Sequence, residues 1–207
     1  MAKKHNRTIL RVDYGTTKLI SKLNVFLEFA LSEEIRIHGG LLEVFGMGIL
    51  IIGKSSIGKS ETALELIARG HRLVADDAVD IRKIDNKLYG ESPENIRHFL
   101  EIRGLGILDI QRLYGVGAVK KSTEIDFVIE LENWIDNKEY DRLGLDDNFK
   151  NILGIELPYI VIPVKPGRNI ALIVEVAARN MRQKMYGYNA AEELNRRIME
   201  EIKNKSN

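Results

Sequence analysis

The octapeptide at residues 53–60, GKSSIGKS, constrains the fold of this 207-residue chain more than any other feature. It matches the phosphate-binding pattern G-x-x-x-x-G-K-[ST], which requires a strand before it and a helix after it. An apolar run at 49–52 precedes the octapeptide. An apolar stripe at helical spacing follows it over residues 59–69, with Gly70 as a C-terminal cap. The sequence therefore predicts a phosphate-binding loop between a strand and a helix.

The chemistry of such a loop comes from its backbone and from its last two side chains. Backbone N–H groups curl around phosphate oxygens, and the helix N-terminus adds a partial positive charge. Lys59 is expected to reach the β and γ phosphates, and the Ser60 hydroxyl to bind Mg²⁺. A glycine-rich turn without a ligand is the alternative. The residues predicted to bind the nucleotide are Gly53, Lys54, Ser55, Ser56, Ile57, Gly58, Lys59 and Ser60.

Strand-like and helix-like runs alternate along the rest of the chain, which predicts an α/β fold with a mixed sheet and flanking helices. Asp85-Asn86 is typical of a hairpin turn, and Asn189 with Glu192 predicts the start of a helical tail. A basic loop at 165–169 is expected to join the last two strands. The predicted strands cover residues 41–45, 49–52, 73–75, 79–82, 87–89, 125–131 (half-buried), 159–164 and 170–176.

Composition excludes several classes of function. The 31 basic and 30 acidic residues give a net charge of +1, without the basic excess of a general nucleic-acid binder. The absence of cysteine excludes disulfide scaffolds and thiolate sites. No apolar run reaches the roughly 18 residues of a membrane span. We therefore expect a cytoplasmic protein of one domain over residues 1–207, with 1–30 as a lead-in segment and no nucleic-acid or membrane partner.

Two adjacent carboxylates, Asp76 and Asp77, end the strand that follows the loop helix. If that strand lies beside the phosphate-binding loop, one carboxylate can hold a metal and the other can accept a proton. A solvated strand end or a helix cap is the alternative.

Three further groups are candidates for chemistry, each with a plain alternative. Glu101 and Arg103 would share one face of a strand, suiting a metal carboxylate and a phosphate clamp or equally an ordinary ion pair. Arg168, in the basic loop, is either a stabiliser of phosphoryl charge or a hairpin arginine. His38 precedes a glycine pair and a strand, and a lone histidine is more often structural than catalytic.

Taken together, these runs resemble the catalytic domain of the HPr kinase/phosphorylase family, bacterial enzymes that phosphorylate a serine of the phosphocarrier HPr. The resemblance spans about residues 8 to 190, and the run LEIRGLGI is its most specific part. The matching runs are His38-Gly39 and residues 58–66, 69–77, 100–107, 131–134, 141–144 and 164–169.

The resemblance implies roles residue by residue. Residues 53–60 would bind ATP or pyrophosphate, with Lys59 on the phosphates and with Ser60 and Glu101 on Mg²⁺ or Mn²⁺. Asp77 would take the serine proton in the kinase direction and return it in the reverse direction. His38 and Arg168 match the family's other active-site positions. Residues 101–110 match a region used in both reactions, and 187–192 fall near a region tied to the reverse one.

The resemblance also implies a reaction in reverse, a fold and an assembly. In the reverse reaction, inorganic phosphate attacks phosphoserine-HPr and pyrophosphate is released. Family members have a fold related to phosphoenolpyruvate carboxykinase and form homohexamers. The family's amino-terminal domain is expected to be absent from this chain.

Three positions depart from the usual family pattern. Lys54 stands where the loop usually has Asp, Ser56 where it has Gly, and Ala78 where many relatives have Arg. Our hypothesis is that Lys54, an added cation beside the phosphates, tightens polyphosphate binding or alters the balance of the two reactions.

The predicted function is therefore an ATP-dependent serine kinase of HPr, with phosphorolysis in reverse. Two alternatives stay open at this point. One is a kinase of the same fold that acts on another protein or a small hydroxyl compound. The other is a nucleotide sensor without turnover, which would not need Ser60, Asp76, Asp77 and Glu101 together.

Overall fold

The computed structural model describes residues 2–5, 8, 11–136, 138, 140 and 148–205. The chain divides into two compact units, residues 1–33 and 34–207. The first unit holds a 3-10 turn, Ala2–His5, and helix α1, Thr16–Leu31, which the sequence analysis does not predict. Within the described ranges, no helix has both the length and the apolarity needed to cross a bilayer.

The second unit, residues 34–207, carries the rest of the secondary structure and both cores. Its strands are β1 (Glu34–His38), β2 (Gly40–Val44), β3 (Met47–Gly53), β4 (Arg72–Ala75), β5 (Ala78–Ile84), β6 (Lys87–Glu91), β7 (Phe99–Ile102), β8 (Gly106–Asp109), β9 (Ser122–Glu124), β10 (Phe127–Asn133), β11 (Phe149–Ile152) and β12 (Ile155–Val164). Its helices are α2 (Lys59–Ala68), α3 (Ile110–Tyr114), α4 (Ile170–Met185) and α5 (Ala190–Lys205).

A six-stranded mixed sheet, in the order β11-β12-β10-β3-β2-β4, forms the centre of this unit. Strands β3, β10 and β12 are parallel, whereas β2 runs antiparallel to both β3 and β4. The ends of β3, β10, β12 and β4 therefore meet the beginning of β2 at one edge of the sheet, which we call the carboxyl edge. This mixed α/β architecture confirms the predicted fold class.

Apolar side chains cover both faces of the sheet. One core cluster packs against α2 and α4, and the other packs against the four-stranded sheet β1-β5-β6-β9. Consecutive residues Phe127, Val128 and Ile129 of β10 are fully buried because the strand lies between β3 and β12 with both faces covered. The strand predicted here is confirmed, but residues 127–129 are buried on both faces, and the expected alternation holds only over residues 129–132, where Glu130 and Glu132 are partly exposed.

Residues 170–176, predicted as a strand, form the start of helix α4. The run is rich in β-branched residues, but its buried positions Ile170, Ala171, Val174 and Ala178 recur at helical spacing. The Asn169 side chain caps the helix by accepting a hydrogen bond from the Leu172 N–H, 2.8 Å away. The basic loop at 165–169 therefore joins a strand to a helix.

Turn chemistry sets the shorter connections. The Asp85-Asn86 hairpin is confirmed, and both residues have a positive φ. Between β2 and β3 the turn consists of Phe45 and Gly46, both with positive φ, so Phe45 lies outside the strand in which it was predicted.

We expect Gly48→Ala to destabilise the fold by about 3 kcal/mol, the upper end for overpacking of a core. A Cβ at Gly48 would lie 1.8 Å from the Glu124 carbonyl oxygen, and two hydrogen bonds to Asp126 hold the Gly48 backbone in place. The measurement is thermal and urea unfolding, with Gly117→Ala as the control because a Cβ there meets nothing within 4 Å. Equal unfolding midpoints for the two variants would contradict this packing.

Candidate active site

The phosphate-binding loop leaves β3 at the carboxyl edge and enters α2 at Lys59. Gly53 has φ +146°, and a Cβ there would lie 2.5 Å from the Leu131 carbonyl oxygen, so only glycine fits this close approach. Gly58, the N-cap of α2, has φ +101°. Ser56 also lies in the left-handed region, at φ +69°, which agrees with the glycine that the family loop usually has at this position.

The Lys59 ammonium is the centre of the site and is buried, with 8% of the residue exposed. Its Nζ lies 3.0 Å from the Gly53 carbonyl oxygen, 3.2 Å from the Lys54 carbonyl oxygen and 3.2 Å from His38 Nε2. An ammonium has three N–H donors and no acceptor, so these three partners satisfy it completely.

His38 connects this ammonium to Asp77. Because Lys59 can only donate, His38 Nε2 must accept, which places the imidazole proton of the neutral ring on Nδ1. His38 Nδ1 lies 3.1 Å from Asp77 Oδ1, so that N–H donates to the carboxylate. The Asp77 side chain is 73% exposed. The Asp77 backbone lies in the left-handed region, with φ +66°. The geometry therefore gives an accessible carboxylate, oriented by a histidine, beside the loop.

Asp76 is buried, in contrast to its neighbour, with 5% of the residue exposed. Its carboxylate accepts hydrogen bonds from the Ser60 hydroxyl at 3.0 and 3.2 Å and from the backbone N–H groups of Glu101 and Asp77. Burial raises the pKa of the Asp76 carboxyl, and these hydrogen bonds partly offset the shift. Asp76 is not a solvated strand end, and it brings the Glu101 backbone to Ser60.

The donor set around Ser60 fits a hard divalent cation. It consists of a hydroxyl and of carboxylates, the oxygen ligands that Mg²⁺ prefers. Among the described residues, no group of three or more His, Cys, Asp or Glu side chains is arranged to hold a metal. Mg²⁺ sites of phosphoryl-transfer enzymes use one or two protein carboxylates, with phosphates and water as the other ligands.

The structure corrects the predicted surroundings of two arginines, Arg103 and Arg168. Arg103 follows the end of β7 in a turn, so it does not share a strand face with Glu101. Arg168 follows β12 at the carboxyl edge, two strands from β3, or about 10 Å at the usual strand spacing. Its Nη1 donates to the Pro163 carbonyl at 2.9 Å, and no described contact joins it to Lys59 or Asp77. Arg168 is not in a hairpin, because the loop that contains it leads into helix α4.

A polar link between α2 and the basic loop was missed by the sequence analysis. Glu65 Oε1 accepts hydrogen bonds from Arg69 Nη2 at 2.7 Å and from Asn169 Nδ2 at 2.9 Å. Glu175 on α4 accepts from Arg69 and from His71. Asn169, an N-cap type of residue ahead of an apolar run, was the available signal for this junction.

We expect Glu65→Gln to lower stability by at most about 1 kcal/mol at pH 7, because the pair is partly exposed. Hydrogen bonds from Arg69 and Asn169 hold the pKa of Glu65 below its ordinary 4.5. The ionised form therefore stabilises the fold above pH 4.5, and this stabilisation is lost as the pH falls through the lowered pKa.

The measurement is the melting temperature of both proteins from pH 3 to 8. The exposed Glu156, which has no described side-chain partner, provides Glu156→Gln as the control. A gap between wild type and Glu65→Gln that stays constant with pH would contradict the assignment.

Comparison with known proteins identifies the family of this chain. The family model described as HPr Serine kinase C-terminal domain matches residues 29–198. The chain belongs to the HPr serine kinase family. Proteins named HPr kinase/phosphorylase are similar to it, including one from Caldanaerobacter subterraneus (58% identity over 204 residues) and one from Alkaliphilus metalliredigens (57% over 206). These alignments cover 98% and 99% of this chain and 67% of each relative.

A solved member of the HPr serine kinase family has a similar fold. The structure titled Hpr(Ser) kinase/phosphatase from Coxiella burnetii has a TM-score of 0.69 and 37% identity. The match covers 77% of this chain and 98% of that one. Of the runs that carried the sequence resemblance, residues 141–144 lie outside the described residues.

Proposed function

We propose that this chain is an ATP-dependent serine kinase of HPr that also dephosphorylates phosphoserine-HPr by phosphorolysis. Membership in the HPr serine kinase family and relatives named HPr kinase/phosphorylase support this function. The observation that carries the proposal is the hydrogen-bonded series from Lys59 through His38 to Asp77, beside Ser60 and the buried Asp76. A nucleotide sensor would need no such base.

Phosphate binding begins with a change of partners at Lys59. The ammonium donates to the carbonyls of Gly53 and Lys54 and to His38. Phosphate oxygens are anionic acceptors and form stronger hydrogen bonds than neutral carbonyls. A polyphosphate that enters the loop therefore draws the ammonium toward itself, while the N–H groups at the start of α2 bind the remaining oxygens.

Asp77 acts as the general base in the kinase direction. The serine hydroxyl oxygen of HPr attacks the γ-phosphorus, the bond to ADP breaks, and the hydroxyl proton passes to the Asp77 carboxylate. His38 holds that carboxylate in place through its Nδ1–H. The exposure of Asp77 leaves room for a protein substrate to approach.

The reverse reaction uses the same groups in the opposite order. An oxygen of inorganic phosphate attacks the phosphorus of phosphoserine, and the bond to the serine oxygen breaks. Asp77 returns its proton to that oxygen, so the products are serine and pyrophosphate. Lys59 and the loop N–H groups, which hold the β and γ phosphates of ATP, also hold pyrophosphate.

Ser60 and Glu101 are the residues that would hold Mg²⁺ or Mn²⁺, which when bound supplies charge neutralisation for the phosphates. The buried Asp76 orients the Ser60 hydroxyl and accepts a hydrogen bond from the Glu101 backbone, so it positions both residues.

Arg168 is proposed to stabilise the charge of the transferred phosphoryl group from the basic loop. We also propose that the protein forms a homo-oligomer, as the hexameric members of the family do, and that it is cytoplasmic.

The test is the intact mass of purified HPr after incubation with the protein, ATP and Mg²⁺. Wild type is expected to add one phosphoryl group. Asp77→Asn is expected to bind ATP normally but to transfer at least about 100-fold more slowly, because it lacks the base. Lys59→Ala is expected to lose both nucleotide binding and transfer.

The matched control is Asp85→Asn, an aspartate that also has positive φ but lies in a distant hairpin turn. It should phosphorylate HPr at the wild-type rate. The proposal is refuted if HPr stays unmodified after incubation with the wild-type protein. The assigned roles are refuted if Asp77→Asn and Lys59→Ala lose ATP binding equally.

A further inference from the structure

A cavity of about 480 Å³ opens at the carboxyl edge of the sheet, and nothing in the proposed chemistry uses it as a whole. It is lined by Trp134, Lys165, Pro166, Gly167 and Arg168. The volume lies within the range of about 300–1,000 Å³ that is usual for small-molecule sites. Its walls combine an aromatic surface, an apolar ring and two cations.

The sheet order places this cavity on one side of the phosphate-binding loop and the acids on the other. His38, Asp76 and Asp77 adjoin β2 and β4, on one flank of β3. Trp134 and the basic loop follow β10 and β12, on the opposite flank. Because Asp77 and the cavity lie on opposite flanks of β3, a nucleotide that faces Asp77 with its terminal phosphate has room for its other end toward β10 and β12.

The chemistry of Trp134 suits that other end. The side chain is 43% exposed and its indole stacks on the Tyr140 ring, with the two centroids 5.2 Å apart. Lys165 Nζ lies 5.1 Å from the indole centroid. An indole that accepts a cation presents the same π surface on which a nucleobase stacks. The lysine side chain is long and exposed, so a planar ring can replace it at the indole.

Hydrogen bonds connect the cavity walls to each other and to helix α2. The backbone N–H of Trp134 donates to the Val164 carbonyl at 3.0 Å, which continues the pairing of β10 with β12 up to the cavity. Asn169, the last residue of the basic loop, donates to Glu65 on α2. The helix that begins at Lys59 is therefore hydrogen-bonded to the loop that lines the cavity.

We propose that this cavity is the nucleoside subsite of the enzyme and that the indole of Trp134 stacks on the adenine base of ATP. The inference rests on the proposed function, since it assumes that the loop binds ATP with its γ phosphate toward Asp77. Inorganic polyphosphates lack a base, so they do not use this subsite.

The test compares ATP with inorganic tripolyphosphate by isothermal titration calorimetry. Trp134→Ala is expected to weaken ATP binding about tenfold, the usual scale for loss of one aromatic stack. Its affinity for tripolyphosphate should equal that of wild type, which also shows that the variant is folded. Trp134→Phe keeps an aromatic surface and should restore most of the ATP affinity.

Phe149→Ala is the control, because it removes an aromatic side chain of similar exposure from β11. It should leave both affinities unchanged. Unchanged ATP affinity in Trp134→Ala, or equal weakening of ATP and tripolyphosphate, would overturn the subsite. A wild-type protein that binds neither ligand would instead refute the proposed function itself.

Discussion

The buried ammonium of Lys59 is the interaction around which the site is organised. A charge removed from water is stable only when its hydrogen-bonding capacity is met. Here the acceptors come from the loop itself and from His38. The loop is thereby held in shape by its own lysine. The same lysine also fixes His38, which in turn holds the Asp77 carboxylate.

The mixed sheet makes this arrangement possible. Because β2 is antiparallel to β3, the chain just before β2 lies at the carboxyl edge and places His38 beside Lys59. Because β4 is antiparallel to β2, its last residues return to the same edge and place Asp76 against Ser60. One edge thus brings together a phosphate cradle, a base and metal-binding oxygens.

The sequence predicted the parts of the site that have local signatures. The loop pattern requires its flanking strand and helix, and Asp76 and Asp77 follow a short buried run. The contact between His38 and Lys59 has no such signature, because it depends on strand order. The strand predicted at 170–176 is wrong because a short apolar run fits a strand and a buried helix alike, whereas the helical spacing of its buried positions and the Asn169 cap favour the helix. The Glu65 to Asn169 link depends on that helix and was missed with it.

The most direct measurement is the ¹⁵N NMR spectrum of the His38 imidazole in the ligand-free protein, assigned by comparison with His38→Gln. The account predicts a proton on Nδ1 and none on Nε2, with the Nε2 resonance shifting when inorganic tripolyphosphate draws Lys59 away. A proton on Nε2 in the ligand-free protein, or an imidazole that does not respond to tripolyphosphate, would contradict the proposed organisation of the site.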